Sequence, residues 1–134
     1  MDNMKANELR IGNVLQSIDG KTAYKILCFY GESTVLVDIG IIKTPTDDEH
    51  EESLESLEPI PLTEEWLLKF GFELEYKSEF RIKYTSPTDA SIGYDWHKMD
   101  VWGFRYFGKK IKCEYVHQLQ NLYFALTGEE LTIK

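Results

Sequence analysis

VHQLQNLYFALTG, at residues 116–128, carries the strongest structural signal in the chain. Its apolar residues recur at a helical spacing and polar residues fill the opposite side, as in an amphipathic helix. Gly128 ends the pattern, and a glycine in the left-handed conformation commonly ends a helix. We therefore predict a C-terminal helix over 115–126, after which Leu131 and Ile133 pack back on the body. The apolar side of this helix consists of Val116, Leu119, Leu122, Tyr123 and Leu126.

A second helical signature, TEEWLLKFG, occupies residues 63–71. Thr63 is a favourable N-cap, and the two glutamates after it suit the positive end of the helix dipole. Leu62 and Leu67 have the spacing of a hydrophobic staple, and the final glycine can end the helix. These signals predict a short helix over 64–70.

The N-terminal part, residues 1–43, has the pattern of a β meander. Asp19 and Gly20 predict a two-residue hairpin turn between the first two strands. Three short strands cannot close a core alone, so they form most of an SH3-like barrel or one side of a larger sheet. The predicted strands are Asn13–Ile18, Thr22–Tyr30 and Ser33–Ile39.

Residues 72–115 alternate short strand-forming runs with turn residues, including a predicted turn at Gly108 and Lys109. Connections this short require antiparallel pairing, because parallel pairing needs a long crossover. The predicted strands are Phe72–Lys77, Phe80–Thr85, Ile92–His97, Val101–Phe107 and Lys110–Tyr115. The predicted fold class is therefore α+β, an antiparallel meander with two helices, in a single domain of residues 1–134 whose α+β body spans 59–134.

Negative charge is concentrated in one segment. Residues 47–65 contain nine of the 23 acidic residues and no lysine or arginine, whereas the other 115 residues hold 15 basic and 14 acidic residues. A net charge of −8 disfavours sequence-independent binding to duplex nucleic acid. We predict an acidic surface loop over 44–58 whose end is anchored by Leu54 and Leu57. Its carboxylates suggest a further hypothesis, a DNA mimic formed by 47–58.

Composition and cysteine usage indicate an ordinary globular protein. With 134 residues, 43% apolar and 28% charged, the chain fits one domain and excludes disordered, collagen-like and membrane-spanning classes. We expect no secretion signal and no membrane partner, because no apolar run has the required length. Cys28 and Cys113 lie in apolar runs without C-x-x-C spacing, so we expect reduced, buried thiols and a cytoplasmic location.

Three strings are distinctive as they stand: KANELRIGN at 5–13, EPIPLTEEWLLKFGFE at 58–73 and YVHQLQNLYFALTGEEL at 115–131. Together they cover about a third of the chain, and they resemble segments of short uncharacterised proteins of Bacteroides-type bacteria and their phages. The resemblance implies a small cytoplasmic protein of a mobile element, and it implies no activity or catalytic residue. Because two strings coincide with the helix signatures, we expect them to mark the framework of the fold.

VWGFRYFGKKIK, at 101–112, interleaves aromatic and basic residues. Basic groups with stacking rings can hold single-stranded nucleic acid. The favoured interpretation is instead a core face of aromatic rings next to a lysine-rich hairpin that protects a sheet edge. An exposed Tyr94 would extend the surface and favour binding. The candidate binding surface comprises Trp96, Trp102, Arg105, Tyr106, Lys109, Lys110 and Lys112.

Three histidines give weaker signals for chemistry. His97 lies near Asp95 and Asp100 and could act as a general base or metal ligand, but no nucleophile or zinc motif accompanies it. His50 lies in the acidic segment, which lacks the glycine and ligand spacing of a calcium loop. His117 is expected to be structural. The sequence therefore predicts no catalytic, metal or cofactor-binding residue.

The leading functional hypothesis is a non-enzymatic protein-interaction module that binds a protein partner or forms a homo-oligomer. Aromatic residues are abundant, and such residues are favoured at interfaces. The alternative is a module that binds single-stranded nucleic acid through 101–112. The third is the acidic DNA mimic, and an enzyme centred on His97 has the least support.

Overall fold

The structure, a computed structural model, describes residues 9–30, 34–38, 49–87, 91–97, 103–131 and 133. They form two five-stranded antiparallel sheets and two α-helices. The elements are β1 Val14–Ser17, β2 Ala23–Tyr30, β3 Thr34–Asp38, β4 Glu49–Ser53, β5 Leu57–Pro59, α1 Glu64–Lys69, β6 Glu73–Lys77, β7 Arg81–Thr85, β8 Ile92–His97, β9 Gly103–Tyr106, β10 Lys109–Lys112 and α2 Val116–Thr127.

The α+β prediction is confirmed. Both helices agree with the predicted ranges, 64–70 and 115–126, to within one residue at each end. Leu62 and Leu67 are buried, as the predicted staple requires. The glycines that follow the two helices have φ angles of 86° and 75°, in the left-handed region that lets a glycine end a helix. Each of the eight predicted strands corresponds to a strand of the structure, although Trp102 and the residue before it lie outside the described residues.

The first sheet has the strand order β4-β3-β2-β1-β5. A 3-10 turn, Leu54–Ser56, joins the two outermost strands, so a three-residue link holds the two edges of the sheet near each other. The predicted N-terminal meander is therefore three strands of a five-stranded sheet, and the SH3-like barrel stays a prediction. A separate apolar cluster in this part of the chain is formed by Leu9, Leu15, Ile26, Leu54 and Leu57.

The predicted acidic loop over 44–58 is wrong from Glu49 onward, while 44–48 lie outside the described residues. β4 pairs with β3 along its whole length, and β5 pairs with β1. Glu51 is exposed and Glu52 is partly buried, so exposure alternates here as it does along a strand. The run of charged residues hides this alternation in the sequence. The anchoring role expected for Leu54 and Leu57 is confirmed, because both are buried.

The second sheet, in the order β10-β9-β8-β7-β6, packs one face against both helices. Tyr84, Tyr94 and Phe104 project from its three central strands into this larger core and are fully buried. Leu131 is buried in the same core and Ile133 packs against it, as predicted. The aromatic rings of the central strands are therefore used for packing.

The two parts of the chain are joined by a buried amide on α2. Gln120 is 2% exposed, and its side-chain oxygen accepts a hydrogen bond from the backbone N–H of Val14 at 2.9 Å. Its side-chain nitrogen donates to the carbonyl oxygen of Gly12 at 3.0 Å. Nearby, the Asn13 side chain donates to Asn121 at 2.9 Å, and Arg10 donates to the same Asn121 oxygen at 2.8 Å. These buried polar groups satisfy one another.

The third of the strings that carry the resemblance contacts the other two. Arg10 from the first string also binds Glu130 from the third at 2.5 Å. The second string runs beside the start of the third, since Leu62 N–H bonds the carbonyl of Glu114 and Val116 N–H bonds that of Ile60, each at 2.9 Å. The strings therefore lie at framework contacts, in agreement with the expectation.

Two hairpin turns differ from their predicted positions. The loop between β1 and β2 has five residues, 18–22, and within it the Asp19 carboxylate accepts hydrogen bonds from the Ser17 hydroxyl and the Lys21 N–H. The turn between β9 and β10 is Phe107-Gly108, one residue earlier than predicted, with φ angles of 48° and 80°. Two positive φ angles define the two-residue turn that matches strand twist.

The cysteines are free thiols. Cys113 is buried, as predicted, whereas Cys28 is only partly buried. Burial raises the pKa of the Cys113 thiol to about 12. Neither helix within the described part of the chain is long and apolar enough to cross a membrane.

Candidate binding surface

The second sheet has an outer face, directed away from the helices. Residues directly opposite each other in antiparallel strands share a face, so the buried Tyr84, Tyr94 and Phe104 mark the helix face and their sequence neighbours mark the other. The outer face consists of Glu73, Glu75, Tyr76, Arg81, Lys83, Thr85, Gly93, Asp95, Gly103, Arg105, Lys110 and Lys112.

Asp95 organises the middle of the outer face. Its side chain is 8% exposed and contacts Arg81 and Arg105, each at 3.3 Å. Arg105, whose side chain is 13% exposed, also donates to the carbonyl oxygen of Tyr84 at 3.1 Å. Such a shared carboxylate compensates the burial of charge that would otherwise be costly. Arg105 is therefore a structural residue of the sheet.

Two glycines allow charged side chains to lie flat on the outer face. A Cβ atom at Gly93 would lie 2.2 Å from Nη2 of Arg105 and 2.3 Å from the carbonyl oxygen of Tyr84. A Cβ atom at Gly103 would lie 2.3 Å from Cε of Lys110. Because side chains occupy this space, the centre of the outer face is covered by the protein's own cations.

The edge of the sheet at β6 is open and partly apolar. All five residues of β6 are exposed, including Leu74 at 48% and Tyr76 at 51%. A bulge between Leu74 and Tyr76 shifts the alternation, so Leu74 lies on the helix side and Tyr76 on the outer side. Leu68 on α1 is exposed one helical turn after Glu64, which contacts Lys77 of β6, and Phe80 in the β6–β7 turn is exposed close to Tyr76. We call β6 with Leu68 and Phe80 the β6 edge.

An open depression of about 560 Å³ lies on the outer side of the β6 edge. A volume in this range can hold a small side chain or ligand. Two of its lining residues are exposed aromatic rings, and the others are polar or charged. The lining consists of Glu75, Tyr76, Ser78, Phe80, Arg81 and Lys83.

Of the carboxylates near the depression, Glu75 has ion-pair partners and Glu73 has none among the described residues. Glu75 contacts Lys83 at 3.3 Å and Arg105 at 4.0 Å, and it accepts a hydrogen bond from the Thr85 hydroxyl. This hydrogen bond and Lys83 lower the pKa of Glu75. No lysine or arginine of the described chain lies within ion-pair distance of Glu73, which is exposed on the same face. Glu73 therefore presents an unneutralised carboxylate at the β6 edge.

The structure divides the predicted binding residues between the two faces. Tyr106 packs against the helix-side core, and Trp96 lies on the same side because its cross-strand partner is Ile82. Tyr94 is also buried there, so it does not extend the predicted surface. Arg105 is held by Asp95 as described above. Trp102 lies outside the described residues.

The lysines of the predicted surface lie on β10, the other edge strand of the second sheet. Lys109, Lys110 and Lys112 are exposed, with Lys109 on the helix side and the other two on the outer side. Lysines on an edge strand discourage pairing with another chain. For Phe104, Tyr106 and the three lysines, the interpretation of 101–112 as core rings beside a lysine-rich edge is therefore in agreement with the structure, whereas Phe107 is exposed.

The candidate chemical groups do not assemble in the described part of the chain. Asp95 forms ion pairs with two arginines. The side chain of His97 and all of Asp100 lie outside the part of the chain that the structure describes. The side chain of His50 also lies outside it. His117 is buried and stacks on Tyr115 with ring centres 6.0 Å apart, which fits a structural role. Among the described residues, no group of histidine, cysteine and carboxylate side chains could hold a metal ion.

Sequence reasoning did not identify the β6 edge. Residues 76–84, YKSEFRIKY, interleave rings and cations much as 101–112 do, and that similarity was an available signal. The bulge at Glu75 could not be read from the sequence, because it depends on the pairing of β6 with β7. Comparison with known proteins adds no site residues, since no protein family, curated protein or solved structure matches this chain.

Proposed function

We propose that the chain is a non-enzymatic protein-interaction module that binds an extended segment of a partner protein at the β6 edge. The observation that carries this proposal is the exposure of every residue of β6 together with apolar side chains on both sides of the strand. Leu68 and Leu74 are exposed on the helix side, and Tyr76 and Phe80 are exposed on the outer side.

Strand addition is the binding mode that suits such an edge. An edge strand presents backbone N–H and C=O groups that an extended segment can pair with, and alternate side chains give specificity. Large apolar side chains exposed together mark interaction surfaces more often than single ones do. The bulge bends β6, so the intermolecular ladder is short and side-chain contacts carry much of the affinity.

The contrast between the two edges of the second sheet supports the choice of β6. Three of the four residues of β10 are lysines, which protect that edge from pairing. β6 carries one lysine, Lys77, which also contacts Glu64 of α1 at 3.9 Å. The alternative of single-strand binding through 101–112 has less support, because Phe104 and Tyr106 are used in packing.

Selection from a peptide library tests the proposal. Immobilised wild-type protein is used to select peptides, whose affinities are then compared for wild type, Leu74→Arg and the control Ile18→Arg. Ile18 is an equally exposed apolar residue in the β1–β2 loop. We expect peptides that bind wild type and the control equally and lose about tenfold or more of their affinity for Leu74→Arg, since a charge replaces an apolar contact.

Two results would contradict the proposal. One is a set of selected peptides that bind Leu74→Arg as well as wild type, which would move the binding surface elsewhere. The other is a dimer in sedimentation equilibrium that Leu74→Arg dissociates, because a second copy would then occupy the β6 edge. The free thiols fit the reducing cytoplasm that we propose as the compartment, and the relation to mobile elements stays a prediction.

A further inference from the structure

The two sides of the β6 edge differ in chemistry. A strand added to β6 directs alternate side chains to the helix side and to the outer side. On the helix side it meets Leu74 and, on the neighbouring helix, Leu68, which are both exposed. Residues of the partner that face this side therefore bury apolar surface when they are apolar themselves.

The outer side favours cations. Glu73, at the start of β6, has no ion-pair partner among the described residues, and the exposed rings of Tyr76 and Phe80 lie further along the outer side, toward the β6–β7 turn. A lysine or arginine can pair with the carboxylate and can also lie over an aromatic ring. Arg81 and Lys83, the described cations on the outer side of the β6–β7 pair, already contact Asp95 and Glu75, which reduces their repulsion of an incoming charge.

The charge of the whole chain acts in the same direction. With a net charge of −8, the protein attracts cationic segments at long range and repels anionic ones. Long-range attraction raises association rates, and its effect falls as salt is added. The unpaired Glu73 at the β6 edge and the net charge of the chain, whose negative excess lies in residues 47–65, therefore both oppose an acidic peptide or a nucleic acid as the occupant.

From these observations we infer that the partner segment alternates apolar residues with lysine or arginine residues. The inference rests on the proposed binding at the β6 edge and specifies the chemical class of the partner. The apolar residues face Leu68 and Leu74, and the basic residues face Glu73 and the two exposed rings.

Synthetic peptides of matched length test the inference by fluorescence anisotropy. The basic peptide VKVRVKVR is compared with the acidic peptide VEVDVEVD, with the rearranged peptide VVVVKRKR and with a short oligothymidylate. We expect the basic alternating peptide to bind about tenfold more tightly than the acidic one, because cross-strand charge pairs change from attractive to repulsive. It should also exceed the rearranged peptide, in which the alternation is lost.

Variants of the protein locate the charge effect. Glu73→Lys should weaken binding of the basic peptide about fivefold or more, while Glu55→Lys should have much less effect. Glu55 is an exposed carboxylate on the 3-10 turn of the first sheet, so it controls for the change in net charge. Binding should weaken between low and physiological salt, as expected for exposed charges.

Several outcomes would overturn the inference. Tighter binding of the acidic peptide or of the oligothymidylate would show the opposite charge preference. Equal effects of Glu73→Lys and Glu55→Lys would show that the charge effect does not arise at Glu73. Absence of binding by the basic peptide would also overturn it. The proposed function is tested separately. Library peptides that depend on Leu74 but lack basic residues would contradict this inference and leave the proposed function intact.

Discussion

Replacing Gln120 by leucine should lower the stability of the protein substantially. The side-chain amide of Gln120 makes two close hydrogen bonds to the N-terminal segment, with the N–H of Val14 at 2.9 Å and the carbonyl of Gly12 at 3.0 Å. Leucine has similar volume, so packing on α2 is preserved while both partners lose their hydrogen bonds. Each buried polar group left without a partner costs about 1–3 kcal/mol.

The expected loss in the free energy of unfolding is about 2–4 kcal/mol, after allowance for the apolar surface that leucine buries. For a chain of this size the melting temperature should fall by about 7–14 °C. Urea denaturation followed by tryptophan fluorescence measures the free energy of unfolding, and thermal unfolding followed by circular dichroism measures the melting temperature.

A matched control is Gln118→Leu on the same helix. Gln118 accepts hydrogen bonds from the N–H groups of Glu114 and Tyr115 at the helix start, so its loss should cost about 1 kcal/mol, as for other helix caps. A loss below about 0.5 kcal/mol for Gln120→Leu would mean that the amide does not join the two parts of the chain.

Three further predictions concern the outer face and the thiols. Gly93→Ala should destabilise the protein by about 2 kcal/mol or more in urea denaturation, because a Cβ atom there would displace Arg105, and an unchanged midpoint would contradict that contact. Asp95→Asn should cost about 2–3 kcal/mol by the same assay, since it removes the nearer carboxylate of the largely buried Arg105 and leaves only Glu75 at 4.0 Å; a wild-type midpoint would mean that the Asp95 ion pairs contribute nothing. In a Cys28→Ser variant, Cys113 should react with a thiol reagent at pH 8 only as the protein unfolds, because burial raises its pKa to about 12; rapid reaction of the folded protein would contradict its burial.

Local signals in the sequence were sufficient for the elements whose causes are local. The C-terminal helix follows from its apolar period and Gly128, and the short helix follows from its staple and from Gly71. The turn at residues 107–108 was misplaced by one residue because a phenylalanine there adopts a positive φ, which few non-glycine residues do.

Features that depend on distant residues were not predictable in the same way. The acidic residues of β4 suggested a loop, because the pairing with β3 that makes them a strand is invisible in the local pattern. Arg105 appeared available for binding, because its partner Asp95 lies ten residues earlier on a neighbouring strand. The β6 edge was missed because the bulge that separates Leu74 from Tyr76 arises from the register with β7.

Hydrogen–deuterium exchange of the β6 amides is the sharpest test of whether a partner segment binds at the β6 edge by strand addition. The exchange rates are measured for the free protein and for the protein saturated with a library-selected peptide. Binding by strand addition should slow exchange in Glu73–Lys77 and leave the amides of β10 unchanged, because pairing protects the outward N–H groups of the added edge. Protection confined to β10 or to the first sheet, with unchanged exchange in β6, would contradict the account.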